Sequence, residues 1–321
     1  MAEDMPAVGA IDLHAHALPV AYLSALDELG ISTEAEDGFP QPTWSAADHL
    51  AFMDAAGIDL ALLSISSPHP HRGDDALAAR QARAINDELG AICAAHPTRL
   101  AFAAYLPLPA VAASVAEAAR ALDDLGARAV KVPSNANGVY LGDARLASLY
   151  DELDRRDAVV LIHPTAPAGP APATFTSQVK PMYEFLADTT RTVIDLVFSG
   201  TVERWPHIRW VVPHCGSFLP EVAHRMVGIN KILAPRGMVP EVDVLANIRH
   251  LWFDIAGDAQ PVMLDALLKV ADPAHLLYGS DYPYTPAPRA AANKDSLAAD
   301  PLLAGMASDV FHDNAARLLG L

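Results

Sequence analysis

The chain has 321 residues, 52% hydrophobic and 19% charged, enough to bury a large core and unlike a disordered or fibrous protein. Its 39 Asp and Glu against 22 Lys and Arg leave a net charge of −17, which repels phosphate backbones and argues against nucleic-acid binding. The start, Met1 to Ala7, has neither the basic nor the apolar region of a signal peptide, and no window approaches ~18 uncharged apolar residues, so no membrane span is expected.

Short apolar runs recur in chain order at Val8–Leu13, Ile58–Ile65, Leu100–Leu106, Ala127–Val132, Ala158–Ile162, Ile208–Pro213, Leu251–Ile255 and Leu276–Gly279. Continuous apolar runs suit strands buried on both faces of a parallel sheet. Between them lie stretches with apolar spacing of three and four, such as Asp75–Ala95, Ala110–Leu125 and Arg145–Arg156, which predict helices. Eight such runs alternating with helices predict an α/β fold, a (β/α)8 TIM barrel. The competitor, an open doubly wound sheet, is weakened because no Gly-x-Gly-x-x-Gly follows any run. No repeat or linker divides the chain, so residues 1–321 are expected to form one barrel domain, with 1–7 a flexible N-terminus.

Three segments read as insertions at the C-terminal face, where a barrel carries its active-site loops: Leu29–Ser45, Pro68–Asp75 and the Pro- and Ala-rich Pro164–Lys180.

The first run closes with Ile11-Asp12-Leu13-His14-Ala15-His16. Strand side chains alternate, so His14 and His16 face the same way, about 6.6 Å apart, and can chelate one metal. A second His-x-His, His69-Pro-His71, falls in a loop and reads as solvated histidines. Further along, His163 ends the fifth run, His214 the sixth and Asp281 the eighth. Each alone could be a strand-end polar residue capping the next helix. Together, at the strand ends of a barrel, these five side chains can converge on one mouth. His207, His250 and His275 precede runs, so they belong to the opposite face, and His224 reads as structural on a helix. Cys93 and Cys215 are too few for a disulfide framework and sit among apolar residues, which points to packing and a reducing cytoplasm.

His-x-His on the first strand, single histidines on the fifth and sixth, and Gly-Ser-Asp-Tyr-Pro on the eighth resemble the amidohydrolase superfamily. Within it the chain is most similar to the metal-dependent decarboxylases related to aminocarboxymuconate-semialdehyde decarboxylase. Phe52-Met-Asp, Asn137-Gly-Val-Tyr-Leu-Gly-Asp143, His163-Pro-Thr-Ala-Pro167 and Asp188-Thr-Thr-Arg191 resemble the 6-methylsalicylate decarboxylase-like members over essentially the whole length. The resemblance implies one divalent metal, Zn²⁺ or Mn²⁺, held by His14, His16, His163 and Asp281. His214 then stands beside it as an acid/base or orienting group. It also implies a homodimer. The chain departs from the semialdehyde decarboxylases at His49 and Ala51, where their carboxylate-binding arginines are expected, so a simpler aromatic acid fits better than a muconate.

Three basic residues are candidates for the substrate's carboxylate. Lys131, near the end of the fourth run, reads as an anion binder, a carbamylated lysine or a structural lysine paired with an acid. Arg191 could grip a carboxylate bidentately or form a helix-surface pair, and Arg72 lies in the loop after the second run. The function expected is metal-dependent, non-oxidative decarboxylation of a small hydroxyaromatic acid, with Asp281 delivering the proton. The alternative from the same site is hydrolysis of a lactone, amide or ester. A third, a silent binding barrel, predicts a lost ligand, and none is missing.

Overall fold

A computed structural model describes residues 9–169 and 174–321; the expected flexible segment 1–7 and residues 170–173 of the Pro/Ala-rich loop lie outside the described residues. Eight parallel strands follow one another in chain order: β1 Ala10–His16, β2 Ile58–Ser64, β3 Leu100–Tyr105, β4 Ala129–Pro133, β5 Val159–His163, β6 Arg209–Val212, β7 Trp252–Asp254 and β8 Leu276–Leu277. Consecutive strands pair throughout. The first and last are joined by Leu13 N donating to Tyr278 O at 2.9 Å and Asp281 N donating to His14 O at 2.7 Å. The result is the nearly closed (β/α)8 TIM barrel that the run spacing predicts.

Leu62, Ala103, Ala129, Leu161, Val211 and Trp252 point inward and form the packed interior. Strand alternation then fixes what stands above them. Two residues on from Leu62, Ala129, Leu161 and Trp252 come Ser64, Lys131, His163 and Asp254, so the layer at the mouth is polar where the one below is apolar. β1 needs a correction to its phase to join them. Asp12 pairs with Ala61 but Ala15 with Leu63, three residues against two, which is a β-bulge. That extra residue lets both Leu13 and His14 reach the interior and carries His16 in after them.

The helices cover the outside. Asp75–Ala95 is capped by Asp74, whose side chain accepts from Leu77 N at 2.9 Å. It buries Ala78, Ala82, Ile85, Leu89 and Cys93, spaced by three and four as its sequence requires. The predicted helix at Ala110–Leu125 runs Val111–Asp123, and Arg145–Arg156 begins as a tighter turn before continuing as Ala147–Asp154. The segment Leu29–Ser45 is not featureless; it contains a short helix, Thr33–Asp37, which brings Asp37 and Phe39 back over the mouth.

Candidate metal centre

The ends of β1 and β5 bring three imidazoles together. The ring centroids of His14 and His16 are 5.0 Å apart, those of His16 and His163 4.8 Å, and those of His14 and His163 5.7 Å. One nitrogen from each lies within 4.8 Å of the others, a spacing from which three ligands can share one ion.

Each ring is anchored at its other nitrogen. His14 Nδ1 lies 2.9 Å from Asp254 Oδ2, His16 Nδ1 3.3 Å from Ser64 O, and His163 Nδ1 2.8 Å from Pro164 O. Each of these partners is an acceptor and favours the ring with its proton on Nδ1 and its lone pair on Nε2; the Ser64 hydroxyl also lies 3.3 Å from His16 Nδ1, and the Ser66 hydroxyl 3.4 Å from His163 Nε2. His14 Nε2 is buried with no hydrogen-bond partner. Asp281 Oδ1 sits 3.1 Å from His16 Nε2 and 3.6 Å from His14 Nε2, so once both nitrogens give up their protons, lone pairs face lone pairs. A buried nitrogen with no hydrogen-bond partner and a carboxylate beside two imidazole nitrogens are what a divalent cation would satisfy, so the donor set fits one.

The titration behaviour agrees for two of the three rings. Burial pulls His16 down and His163 well down from the ordinary imidazole range, leaving neutral ligands. Burial also pulls on His14, but the charge and hydrogen bond of Asp254 outweigh it and lift this ring to about 9, so without an ion it also holds a proton on Nε2, which a cation would displace. Burial pushes Asp281 up, yet the hydrogen bond with His16 and the charge of His14 prevail and hold it at about 2. Asp281 is therefore an ionised carboxylate beside the histidines.

Backbone strain concentrates here. His214, Cys215, Ser217 and Asp281 all have left-handed φ, between 54° and 58°, a costly conformation for residues with a Cβ. Gly279 serves close approach, since a Cβ there would lie 2.6 Å from His14 Cβ. His214 follows β6, and its ring centroid is 4.8 Å from that of His14. Its backbone N donates to Asp254 Oδ1 at 3.0 Å, and burial draws its ring below the usual range, so it stands neutral.

His163, His214 and Asp281 open onto a cavity of about 440 Å³ whose walls include Phe39, Met182, Phe185, Leu186, Met263 and Tyr284. Among the described residues no lysine or arginine lines it, whereas Asp37, Asp258 and Asp281 do.

The three basic candidates stand elsewhere. Lys131 is fully buried, donating to Ser66 O at 3.2 Å and His69 Nε2 at 2.9 Å, and burial lowers it to about 7. Arg72 lines an adjoining cavity of about 330 Å³, where it donates to the carbonyls of His69 and His71 and lies 3.4 Å from Glu36. Arg191 is half exposed, pairs with buried Asp188 at 2.5 Å and reaches the Tyr140 hydroxyl at 3.3 Å.

His69 and His71 correct the expectation of solvated loop histidines. Both are buried, His69 against Lys131 and the Tyr105 ring, and His71 with Nε2 3.2 Å from Asp75. The loop folds inward because His71 Nδ1 accepts from Gly73 N at 3.0 Å and Arg72 ties down two carbonyls. His49 is buried against Tyr282 and accepts from Trp44 Nε1 at 3.0 Å, and Ala51 is exposed, so neither offers a carboxylate grip at the mouth. Cys215 is buried with a raised thiol pKa, in keeping with packing.

Asp254 was not among the sequence candidates. Its signal is an acidic residue inside Leu251–Ile255, a run otherwise apolar on both faces. A charge in a strand buried on both sides needs a partner, and here the partners are His14 and two backbone amides.

A family model described as Amidohydrolase matches residues 11–321. The 6-methylsalicylic acid decarboxylase AcuB of Aspergillus aculeatus is 33% identical over 285 residues, covering 86% of this chain and 84% of its own. A crystal structure described as amidohydrolase II superposes with a TM-score of 0.91 at 37% identity, over 98% of this chain and 100% of that one. A dihydroxybenzoic acid decarboxylase from Polaromonas sp. JS666, solved with manganese and 2-nitroresorcinol, shares the fold with a TM-score of 0.80 at 20% identity, over 98% of this chain and 97% of that one.

Proposed function

The chain belongs to the amidohydrolase family, and on that membership and the mouth's geometry we propose that it is a metal-dependent, non-oxidative decarboxylase of a small hydroxyaromatic acid resembling 6-methylsalicylate. The observation that carries this reading is the cavity itself: apolar and aromatic walls, three aspartates, no lysine or arginine among the described residues, and His163 and His214 in its lining, with His163 the member of the three-histidine group that reaches it. An anionic aromatic acid can enter such a space only if a cation meets its carboxylate.

We assign that ion to His14, His16, His163 and Asp281, as one Mn²⁺ or Zn²⁺. Histidine and carboxylate ligands suit both, and manganese is the ion in the dihydroxybenzoic acid decarboxylase structure. When bound, the metal would supply a fixed positive charge that orients the carboxylate and ortho-hydroxyl oxygens and stabilises negative charge as it develops. Phe39, Phe185 and Tyr284 confine the ring. Asp281, ionised at rest, takes the hydroxyl proton and passes it to the carbon bearing the carboxylate. The bond to the carboxylate then breaks, its electron pair restores the ring, and CO₂ leaves. The product departs as a phenolate that takes a proton from water. His214, neutral and fixed through Ala256 O at 3.4 Å, has its single proton on Nδ1 and so offers Nε2 as an acceptor that orients the substrate's hydroxyl beside Asp281.

Arg72 contributes positive field from the adjoining cavity, and Lys131, lowered by burial to about 7, adds to it from behind the ligands only below that pH. Arg191 acts further out, through Asp188, which accepts from Ser134 and Asn135 in the loop beside His163. Residues 1–321 act as one barrel unit, supported by strands spread from Ala10 to Leu277. A homodimer is supported by the exposed Ile229, Ile232 and Met238 near one another in the chain. No helix among the described residues is long and apolar enough to cross a membrane. Unpaired, buried Cys93 and Cys215 support a cytoplasmic setting. The test is a panel of salicylate-like acids offered to the Mn²⁺-loaded and chelator-treated chain, with CO₂ release measured. Release from none of them by the loaded chain refutes the reading.

A further inference from the structure

We infer that Asp254 is a positioning residue that locks the tautomer of His14, and that metal affinity depends on this lock. The inference rests on the proposed metal centre and deepens it.

Asp254 is buried in β7 and spends both carboxylate oxygens. Oδ1 accepts from His214 N at 3.0 Å and Ala256 N at 3.1 Å. Oδ2 lies 2.9 Å from His14 Nδ1. Because Oδ1 is committed to two backbone donors, the carboxylate cannot rotate away from His14 without orphaning them. An acceptor fixed opposite Nδ1 requires that nitrogen to carry a proton, so Nε2 is the nitrogen left to meet a metal. Nε2 is also the buried nitrogen with no protein partner. His16 and His163 are oriented by main-chain carbonyls, which no side-chain substitution alters. The Ser64 hydroxyl adds a second contact to His16 Nδ1 at 3.3 Å, but of the three rings His14 alone is held at Nδ1 by a carboxylate.

The same carboxylate ties the ligand to the neighbouring imidazole. Its bonds to His214 N and Ala256 N hold the turn in which His214 takes a left-handed φ of 54°. One buried side chain thus sets the aim of a metal ligand and the seat of the acid/base candidate.

Asp254→Asn separates these two duties. The amide oxygen still accepts from His214 N and Ala256 N, so the turn keeps its bonds. The NH₂ then stands where Oδ2 stood, opposite His14 Nδ1. Two donors cannot face each other, so Nδ1 becomes the acceptor and the ring proton moves to Nε2, pointing at the metal position. An amide turned the other way would present its N–H groups to two backbone N–H groups, which is worse. The variant therefore keeps its shape and loses a ligand.

The experiment is a chelator-competition titration with Mn²⁺, and with Zn²⁺ where Mn²⁺ binding is too weak to follow. It uses the full chain, Asp254→Asn, His14→Ala and the double variant, with melting of each metal-free protein recorded alongside. Asp254→Asn is expected to weaken binding by about 10- to 100-fold, and to add little in the His14→Ala background, since the lock then has nothing to hold. Equal affinity in Asp254→Asn and the unsubstituted chain overturns the inference. So does a full additional loss in the His14→Ala background, the result of general damage rather than of an effect through His14. Absence of stoichiometric metal in the unsubstituted chain overturns the metal centre itself, a result distinct from both.

Discussion

Asp281 Oδ1 stands 3.1 Å from His16 Nε2, although that imidazole already has an acceptor, Ser64 O, facing its other nitrogen. With its proton held on Nδ1 by that carbonyl, His16 would share a cation with Asp281; with the Ser64 hydroxyl, also 3.3 Å from Nδ1, donating there instead, the ring proton turns to Asp281, so the ion and the proton compete for the same gap.

Metal removal follows first. Treatment with a strong chelator should abolish turnover, and Mn²⁺ should restore it. The melting temperature should climb with Mn²⁺ concentration, because a ligand bound only by the folded chain adds ~2.7 kcal/mol of stability at a hundred times its Kd. Calorimetric scans across a Mn²⁺ series check this, and superimposable scans would contradict it.

Asp281→Asn removes the group that moves the proton but keeps an oxygen that can face the histidines. Turnover should fall by about 10²- to 10⁴-fold, the range for loss of a positioned proton carrier. The measurement is kcat at saturating substrate with metal content determined on the same sample. A metal-loaded Asp281→Asn protein with undiminished kcat would show that the proton travels by another route.

Lys131 gives the pH prediction. Burial lowers its folded-state pKa from 10.5 to about 7, so between those values the unfolded chain holds a proton that the folded chain has released. Stability from this group therefore rises as pH climbs from about 7 to 10.5, and below 7 the folded state bears the cost of a buried charge. Denaturant unfolding of the chain and of Lys131→Met should show the variant gaining most at or below pH 7, with the gap narrowing towards pH 10. A gap independent of pH would mean that the lysine is solvated.

Asp188 is buried and accepts from Ser134 Oγ, Asn135 Nδ2 and the Tyr140 hydroxyl at 2.6 to 2.7 Å, and it pairs with Arg191. Asp188→Ala leaves those donors unmet in the loop beside His163. A loss of about 3–5 kcal/mol is expected, as for breaking a buried ionic contact, measurable by urea unfolding. A change within ~0.5 kcal/mol, as for an ordinary surface site, would contradict the network's role.

The run spacing and the strand-end histidines made the barrel and the convergence of His14, His16, His163, His214 and Asp281 legible, because buried parallel strands announce themselves by continuous apolar stretches. What the chain concealed depends on contacts distant in sequence. Asp254 meets His14 across 240 positions, and no local pattern pairs them. The bulge that turns His14 and His16 inward shows only in the register of β1 against β2. His69 and His71 read as exposed because a Pro-rich loop of polar residues has no periodicity, and their burial comes from Lys131 and Arg72. The basic candidates for the carboxylate were chosen by residue type and strand position alone. The folded walls of the cavity place them behind or beside it.

The central claim is that this site breaks a carbon–carbon bond with proton replacement and no hydrolysis. The most direct measurement incubates the Mn²⁺-loaded chain with 6-methylsalicylate in water enriched in ²H and ¹⁸O, with mass spectrometry of the product and collection of CO₂. The account predicts CO₂ equal in amount to a phenolic product that carries one deuterium at the carbon that bore the carboxylate and no solvent ¹⁸O. A substrate consumed without CO₂, or a phenolic product containing solvent ¹⁸O, would contradict it.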